Sequence, residues 1–287
     1  MPKTYSEIFI EVRRDLRALD VSESSLEARV LIEAASGKSK EELTRDMQLY
    51  TTEDVETKAQ SFLDRRKTGE PLAYITGDCV FYGLPFRITP DVLIPRVDTE
   101  TVTAAAIEKA RALPPGSRVL DLCCGSGCIG VSIAVHVPEV KVTMADISKE
   151  ALKVARENAA LNGVSGRVTC LEANALEPPR PLLGKFDLIV SNPPYIPTAD
   201  IGGLDTSVES YEPHLALDGG DDGLSLYRSV TLLWRSALNP GGRLILECGI
   251  GQNHSVNYLL RVNGFEDIEI QKDSGEIERV AAGRLPQ

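Results

Sequence analysis

The segment Ser191-Asn192-Pro193-Pro194-Tyr195 carries three groups that could handle a planar amine. Asn192 brings an amide oxygen, the Pro193 carbonyl is free to face a ligand, and Tyr195 brings an aromatic ring. Two acceptors can take the two N–H bonds of an –NH2 group, and a ring can wall it in. The apolar run Phe186-Asp187-Leu188-Ile189-Val190 comes directly before and reads as a buried parallel strand. Neither proline can donate a ladder hydrogen bond, so the strand stops, and the backbone at Asn192 is held extended. The result is a rigid corner at the carboxyl end of a strand, the place where open α/β sheets bind ligands.

A second chemical stretch runs Val119-Leu120-Asp121-Leu122-Cys123-Cys124-Gly125-Ser126-Gly127-Cys128-Ile129-Gly130. It begins as a strand, passes through small residues and enters a helical pattern. Glycines let backbone approach a cofactor closely, and a helix start supplies unpaired N–H groups. The next strand ends in Asp146, about 20 residues on, where dinucleotide folds place a ribose-binding acid. Asp121 precedes the glycines, and an acid there would repel a pyrophosphate while suiting the cationic amino group of a methionine-type ligand. Loop, Asp146 and the Asn192 corner in this order point to S-adenosylmethionine rather than NAD, with S-adenosylhomocysteine as the product. On this reading Asp121, Gly125 and Gly127 line the methionine part, Cys123 is a further cofactor-binding residue, Asp146 accepts from the ribose hydroxyls, and Asn192 faces both cofactor and substrate.

The elements that position these groups alternate. Strands are expected at 117–122, 140–145, 167–172, 186–191 and 242–247, and helices at 99–113, 128–136, 149–162 and 223–238. That alternation implies a mostly parallel, Rossmann-like α/β sheet with helices on both faces. Two further strands, 264–270 and 278–282, are expected as an antiparallel pair that closes it. Residues 196–222 form a long loop with little periodicity, and loops of that length are commonly functional. Before the sheet, Ile8, Val12, Leu16 and Leu19, then Leu26, Val30, Leu31 and Ala34, follow helical spacing, with 22–25 and Ser39 as caps and another helix from Thr52 to Arg66. The division expected is a helical bundle at 1–70 for substrate recognition, an extended or hairpin linker at 71–95, and a catalytic domain at 96–287.

The 287 residues are 43% hydrophobic and 25% charged, as in an ordinary globular protein. There is no apolar run of about 18 residues to span a membrane and no apolar secretory core at the start, so a cytoplasmic location is expected. The formal net charge of −11 argues against a large nucleic-acid footprint. Six cysteines (Cys79, Cys123, Cys124, Cys128, Cys170 and Cys248) include no C-x-x-C pair and read as free thiols with no metal site.

Beyond these motifs the chain resembles the release-factor glutamine methyltransferases, class I S-adenosylmethionine enzymes with a seven-stranded sheet and a small helical domain in front. The resemblance rests on Asn192-Pro193-Pro194-Tyr195 and the cofactor loop. It extends to Gly69-Glu70-Pro71-Leu72-Ala73-Tyr74-Ile75-Thr76-Gly77, Leu93-Ile94-Pro95-Arg96-Val97-Asp98-Thr99-Glu100, Tyr211-Glu212-Pro213-His214-Leu215-Ala216-Leu217 with Gly219-Gly220 and Asp222-Gly223-Leu224, and Asp273-Ser274-Gly275 with Arg279-Val280. Val97, Cys123-Cys124 and Asn174 depart from the family pattern; Cys123 does not take a positive φ cheaply, and Asn174 can still accept from the adenine amine. The resemblance implies methyl transfer to the side-chain amide nitrogen of glutamine in the Gly-Gly-Gln loop of peptide chain release factors, by a monomer that binds neither membrane nor nucleic acid. Asn192, Pro193 and Tyr195 would be catalytic, and Asn192, Pro193, Pro194, Tyr195 and Glu212 would bind substrate. Arg96, Thr99 and Glu100 would flank the cofactor, with a simple helix start as the other reading. For Glu212 a surface salt bridge is the other reading. Methylation of an adenine amine on DNA or RNA, methylation of a ribosomal-protein glutamine, and a non-catalytic scaffold remain open as other functions.

Overall fold

Five helices build the amino-terminal region in the computed structural model, which describes residues 2–287. They are α1 (Tyr5–Arg17), α2 (Ser24–Ser36), α3 (Lys40–Asp46), α4 (Glu53–Lys67) and α5 (Leu72–Thr76). Ile8, Val12 and Leu16 repeat every four residues, so they share one face of α1 and bury against Leu31, Ile32, Ala59 and Leu63. Capping boxes start two of the helices, Thr4 with Glu7 and Ser39 with Glu42, and the Thr52 side chain caps α4. The cap expected at 22–25 does not form: Glu23 is the N-cap of α2 and makes no side-chain bond. Leu19 lies beyond the end of α1, and Leu26 points off the Ala28–Leu31–Ile32–Ala35 face of α2, so both are exposed. Residues 72–76 are helical rather than extended, because Pro71 serves as an N-cap instead of a terminator. The compact unit therefore runs to Gly77, and it also includes Asp205–Tyr211 with the short helix α9 (Thr206–Glu209). The Tyr211 hydroxyl donates to the Thr68 carbonyl at 2.9 Å within this unit.

The second unit comprises residues 78–204 and 212–287. It opens with an antiparallel hairpin, β1 (Asp78–Phe81) and β2 (Leu84–Arg87), and then α6 (Thr99–Arg111). The sheet is made of β3 (Arg118–Leu122), β4 (Lys141–Asp146), β5 (Val168–Glu172), β6 (Phe186–Ser191), β7 (Leu238–Glu247), β8 (Glu266–Lys272) and β9 (Glu278–Arg284). Helices α7 (Cys128–His136), α8 (Lys149–Leu161), α10 (Ser225–Leu233) and α11 (Asn253–Val262) lie between them in sequence. Strand order is β5-β4-β3-β6-β7-β9-β8. The first five positions are parallel, and β9 runs antiparallel to both neighbours. Because β3 and β6 are neighbours but not consecutive in sequence, the order reverses there, and such switch points open the crevice that holds ligands. Helix 223–238 was expected as one piece. It stops at Leu233, a 3₁₀ turn covers Trp234–Ala237, and β7 starts at Leu238, earlier than the expected 242. Among the described residues no helix is long and apolar enough to cross a membrane.

Candidate active site

Three strand ends meet at the switch point. β3 delivers the loop from Cys123 to Gly127, β4 ends in Asp146, and β6 ends in Ser191 ahead of Asn192. The loop turns through left-handed backbone at Cys123 (φ 61), Gly125 (φ 51) and Gly127 (φ 78). Gly127 is constrained twice, since a Cβ there would also meet the Met144 sulfur at 2.8 Å. Cys123 adopts the conformation that an L side chain takes only at about 1–2 kcal/mol. We expect Cys123→Gly to leave the melting temperature nearly unchanged, because strain relief offsets the extra chain freedom of glycine. Cys123→Val adds a β-branch at the same φ and should destabilise by about 1–3 kcal/mol in thermal unfolding.

Between these strand ends lies a cavity of about 1170 Å³, counting its open mouth. Arg96, Thr99, Cys123, Gly125, Asp146, Asn174, Asn192 and Pro194 line it, with Ile129, Ile147, Ala173, Ala175, Leu176 and Leu226 as apolar wall. The Asp146 carboxylate accepts from Gly125 N at 2.8 Å and Ser148 N at 2.9 Å, one on each oxygen, which leaves acceptor capacity on both. Burial pushes its pKa up, against the pull of these amides. Arg96 is the one cation in the lining. That donor set lacks the clustered donors that a pyrophosphate needs.

At the corner itself, Asn192 Nδ2 donates to Thr99 Oγ1 at 3.2 Å. No described residue donates to Asn192 Oδ1 or to the Pro193 carbonyl. Thr99, in the first turn of α6, is buried, so the amide is gripped from one side. Pro193 is buried and lines neither cavity, whereas Asn192, Pro194 and Tyr195 are half-buried. The carbonyl of Tyr195 accepts from Gln252 Nε2 at 2.8 Å. Burial raises the Tyr195 hydroxyl pKa to about 12. Exit from the corner is clamped by the chain at 217–220: Ile196 N donates to Leu217 O, and Gly219 N donates to Ile196 O. Gly219 is required by this closeness, since a Cβ would lie 2.7 Å from the Tyr195 Cα. Tyr195 and Arg96 also border a second, open cavity of about 1030 Å³ lined by Val97, Asp98, Ile250, Gln252 and Arg279.

Several residues singled out from the sequence lie elsewhere. Asp121 does not line the cavity: it is fully buried, and its Oδ2 accepts from Gly130 N at 2.8 Å, so it anchors the first turn of α7. Burial raises its pKa to about 7. Gly127 is packed behind the loop against Met144. Glu100 turns away and accepts from Tyr82 N at 2.8 Å, tying α6 to the β1–β2 turn. Glu212 pairs with Arg96; the Glu212 side chain is 1% exposed and that of Arg96 39%, so a buried acid meets a solvent-facing cation. Asn174 lines the cavity, but its Oδ1 already accepts from Leu176 N at 3.0 Å and its Nδ2 donates to Glu177. The six cysteines are free, and among the described residues no three His, Cys, Asp or Glu side chains are grouped to hold a metal ion.

Sequence reasoning gave no site role to three residues around the corner. Arg279 bridges Asp273 (2.8 Å) and Asp98 (2.7 Å), which links the chain's tail to the start of α6. Gln252 holds the Tyr195 carbonyl, as noted. Glu247, the last residue of β7, is 1% exposed and flanks Asn192. Its one available signal was an acid ending an apolar strand at the ligand-binding edge.

Comparison with known proteins places these features in a family. The model described as PrmC N-terminal domain matches residues 7–77, and the one described as Methyltransferase small domain matches residues 98–203. The chain is 41% identical to the release factor glutamine methyltransferase of Geobacter sulfurreducens, over 92% of this chain and 91% of that protein. It is 42% identical to that of Moorella thermoacetica, over 88% of each. A methyltransferase structure from Pyrococcus furiosus superposes with a TM-score of 0.51 at 19% identity, covering 79% of this chain and 98% of that one, which supports the sheet architecture.

Proposed function

Because this chain belongs to the release factor glutamine methyltransferase family, we propose that it methylates the side-chain amide nitrogen of a glutamine in a protein, the Gly-Gly-Gln loop of peptide chain release factors. The observation that carries this reading is the free pair of acceptors at the corner. Asn192 Oδ1 and the Pro193 carbonyl receive no hydrogen bond from the described residues, while Thr99 holds the other end of the Asn192 amide. They are set to take the two N–H bonds of a planar –NH2 group.

S-adenosylmethionine, when bound, supplies an electrophilic sulfonium methyl group. Asp146 would hold its ribose, the Cys123–Gly125 backbone its methionine part, and Ile147, Ala173 and Leu226 its adenine, all of them in the cavity lining. An amide nitrogen is a weak nucleophile because its lone pair is delocalised. Holding it in line is the main task of the corner, and such positioning can be worth about 7–11 kcal/mol. Asn192 and Pro193 accept from its N–H bonds more strongly as positive charge grows on nitrogen. Tyr195 offers its ring face as a wall that tolerates the nearby cation. The alkylated amide is strongly acidic and needs no strong base to lose its proton. The second cavity, between the exposed Val97 and Ile250, is where the peptide flanking the glutamine would lie. The helical unit would add remote contacts to the protein substrate, so free glutamine should react poorly.

Four substrates offered side by side test the reading: a release-factor domain, a DNA duplex containing adenine, a ribosomal protein, and free glutamine. Methyl transfer confined to the release-factor glutamine, located by mass spectrometry, is the expected result. Transfer to adenine, or efficient transfer to free glutamine, would overturn it.

A further inference from the structure

Asn192 can serve as an acceptor only if its oxygen, not its nitrogen, faces the substrate. A primary amide is nearly symmetric in shape, so packing alone does not choose between the two orientations. Something must choose, and the second strand at the corner offers a candidate. β6 and β7 are parallel with Ser191 opposite Leu246, so the next residue on each, Asn192 and Glu247, lie side by side. Glu247 is 1% exposed and lines neither cavity. Its carboxyl interacts with the side chains of both Thr99 and Asn192, and its Oε2 has no hydrogen-bond partner among the described residues.

We propose that Glu247, acting with Thr99, is a positioning residue that fixes the Asn192 amide with Nδ2 inward and Oδ1 toward the substrate. The inference rests on the proposed function for its substrate, but the orientation itself belongs to the free enzyme. An ionised carboxylate is an acceptor only, so it selects the amide NH2 as its neighbour. Thr99 Oγ1 already accepts from Asn192 Nδ2, which leaves its own proton to donate to Glu247. A protonated Glu247 loses this selectivity, because its O–H can donate to the Asn192 oxygen and turn the amide round.

Burial raises the Glu247 pKa to about 7, with Thr99, Arg279 and Asn192 pulling it down. Of the other ionisable groups around it, only Asp121 changes charge near neutrality. Arg279, from β9, stays cationic and paired with Asp98 and Asp273. Tyr195 and Cys248 are pushed up to about 12, while Tyr227 of α10 and Cys128 of α7 are raised further. Asp121 is also raised to about 7, but its partner is Gly130 rather than Asn192. Turnover at saturating cofactor should therefore fall as the pH drops through about 7 and Glu247 takes up its proton. Stability should move the opposite way. Between the ordinary value of 4.5 and about 7 the folded state binds more protons than the unfolded one, so stability declines as pH rises through that window.

The test is Glu247→Gln, with Glu247→Asp as the conservative rescue and Thr99→Val as a second way to release the amide. Glu247→Gln is expected to lower kcat about 10–100-fold, the usual cost of removing a group that orients a functional side chain, with KM nearly unchanged. Its acid limb should disappear, and its melting temperature at alkaline pH should be equal or higher. Glu247→Asp should recover part of the rate and keep a limb. The Asn192 side-chain amide resonances, followed by NMR without substrate, should titrate near neutrality in the wild type and not in Glu247→Gln. That measurement stands even if the substrate assignment fails. Wild-type kcat in Glu247→Gln, or an Asn192 titration that survives the substitution, would overturn the proposal. So would a melting temperature lowered enough to account for the lost rate.

Discussion

Asn192→Ala should reduce methyl transfer by about 10²–10³-fold, by analogy with the roughly 2.7–4 kcal/mol lost when one oriented oxyanion donor is removed. Cofactor affinity should stay within a few-fold. Asn192 lines the first cavity, yet its side-chain amide is held by Thr99 with Glu247 beside it. The truncation removes an acceptor whose value grows with the charge on the reacting nitrogen, so the loss belongs in kcat. Asn192→Asp separates acceptor from orientation. It keeps two oxygens but places a second carboxyl beside the buried Glu247, so that the pair cannot both ionise cheaply. We expect it to be nearly as impaired as the alanine variant at neutral pH, and to bind cofactor. Turnover close to wild type in Asn192→Ala, measured by transfer of labelled methyl to a release factor, would sink the assignment of this corner.

Much of the sheet was legible because a parallel strand buried on both faces must be apolar along its length. Phe186–Ser191 and Cys128–His136 stand where they were expected, and β8 and β9 are antiparallel as anticipated. The misses are local. Pro71 and Gly69 look like terminators in sequence, but Pro71 begins a one-turn helix, and only the packing of Tyr74 and Ile75 reveals that. The stretch 196–222 lacks periodicity because it is held by single backbone bonds and not by a ladder. Ile196 pairs with Asp218, while Asp205–Tyr211 departs to the helical unit.

The site divides in the same way. Asn192, Thr99 and Asp146 line the cavity, a placement legible because each sits at the end of a strand or the start of a helix beside the crevice. Asp121 was expected to line the methionine part of the cofactor, and its place behind the loop was not legible. Its neighbours Leu120 and Leu122 alternate with it across β3, and the face it occupies belongs to α7, where Gly130 N needs an acceptor. Glu247 and Gln252 were invisible as site residues because their importance depends on which strand lies next to β6. Sequence order places β7 well over 40 residues further on, and only the pairing of Ser191 with Leu246 brings Glu247 to the corner.

Asp146→Ala should weaken S-adenosylmethionine binding by about 10–100-fold, the equivalent of the ~1.5–3 kcal/mol carried by hydrogen bonds to a charged group. Its carboxylate would bind ribose equally in ground and transition states, so kcat at saturating cofactor should change far less than affinity. The same carboxylate accepts from Gly125 N and Ser148 N, and alanine leaves both amides without that partner. Some loosening of the cofactor loop is therefore part of the effect. Asp146→Asn keeps one oxygen and so cannot serve both amides; it should lose less affinity than alanine and unfold at a higher temperature. Burial raises the Asp146 pKa from 3.8, and only the ionised form can accept on both oxygens. Affinity should thus be flat above that raised pKa and fall as pH drops through it. Calorimetric titration of the alanine variant with an unchanged dissociation constant would remove Asp146 from the cofactor site and leave it as a purely structural anchor of the loop.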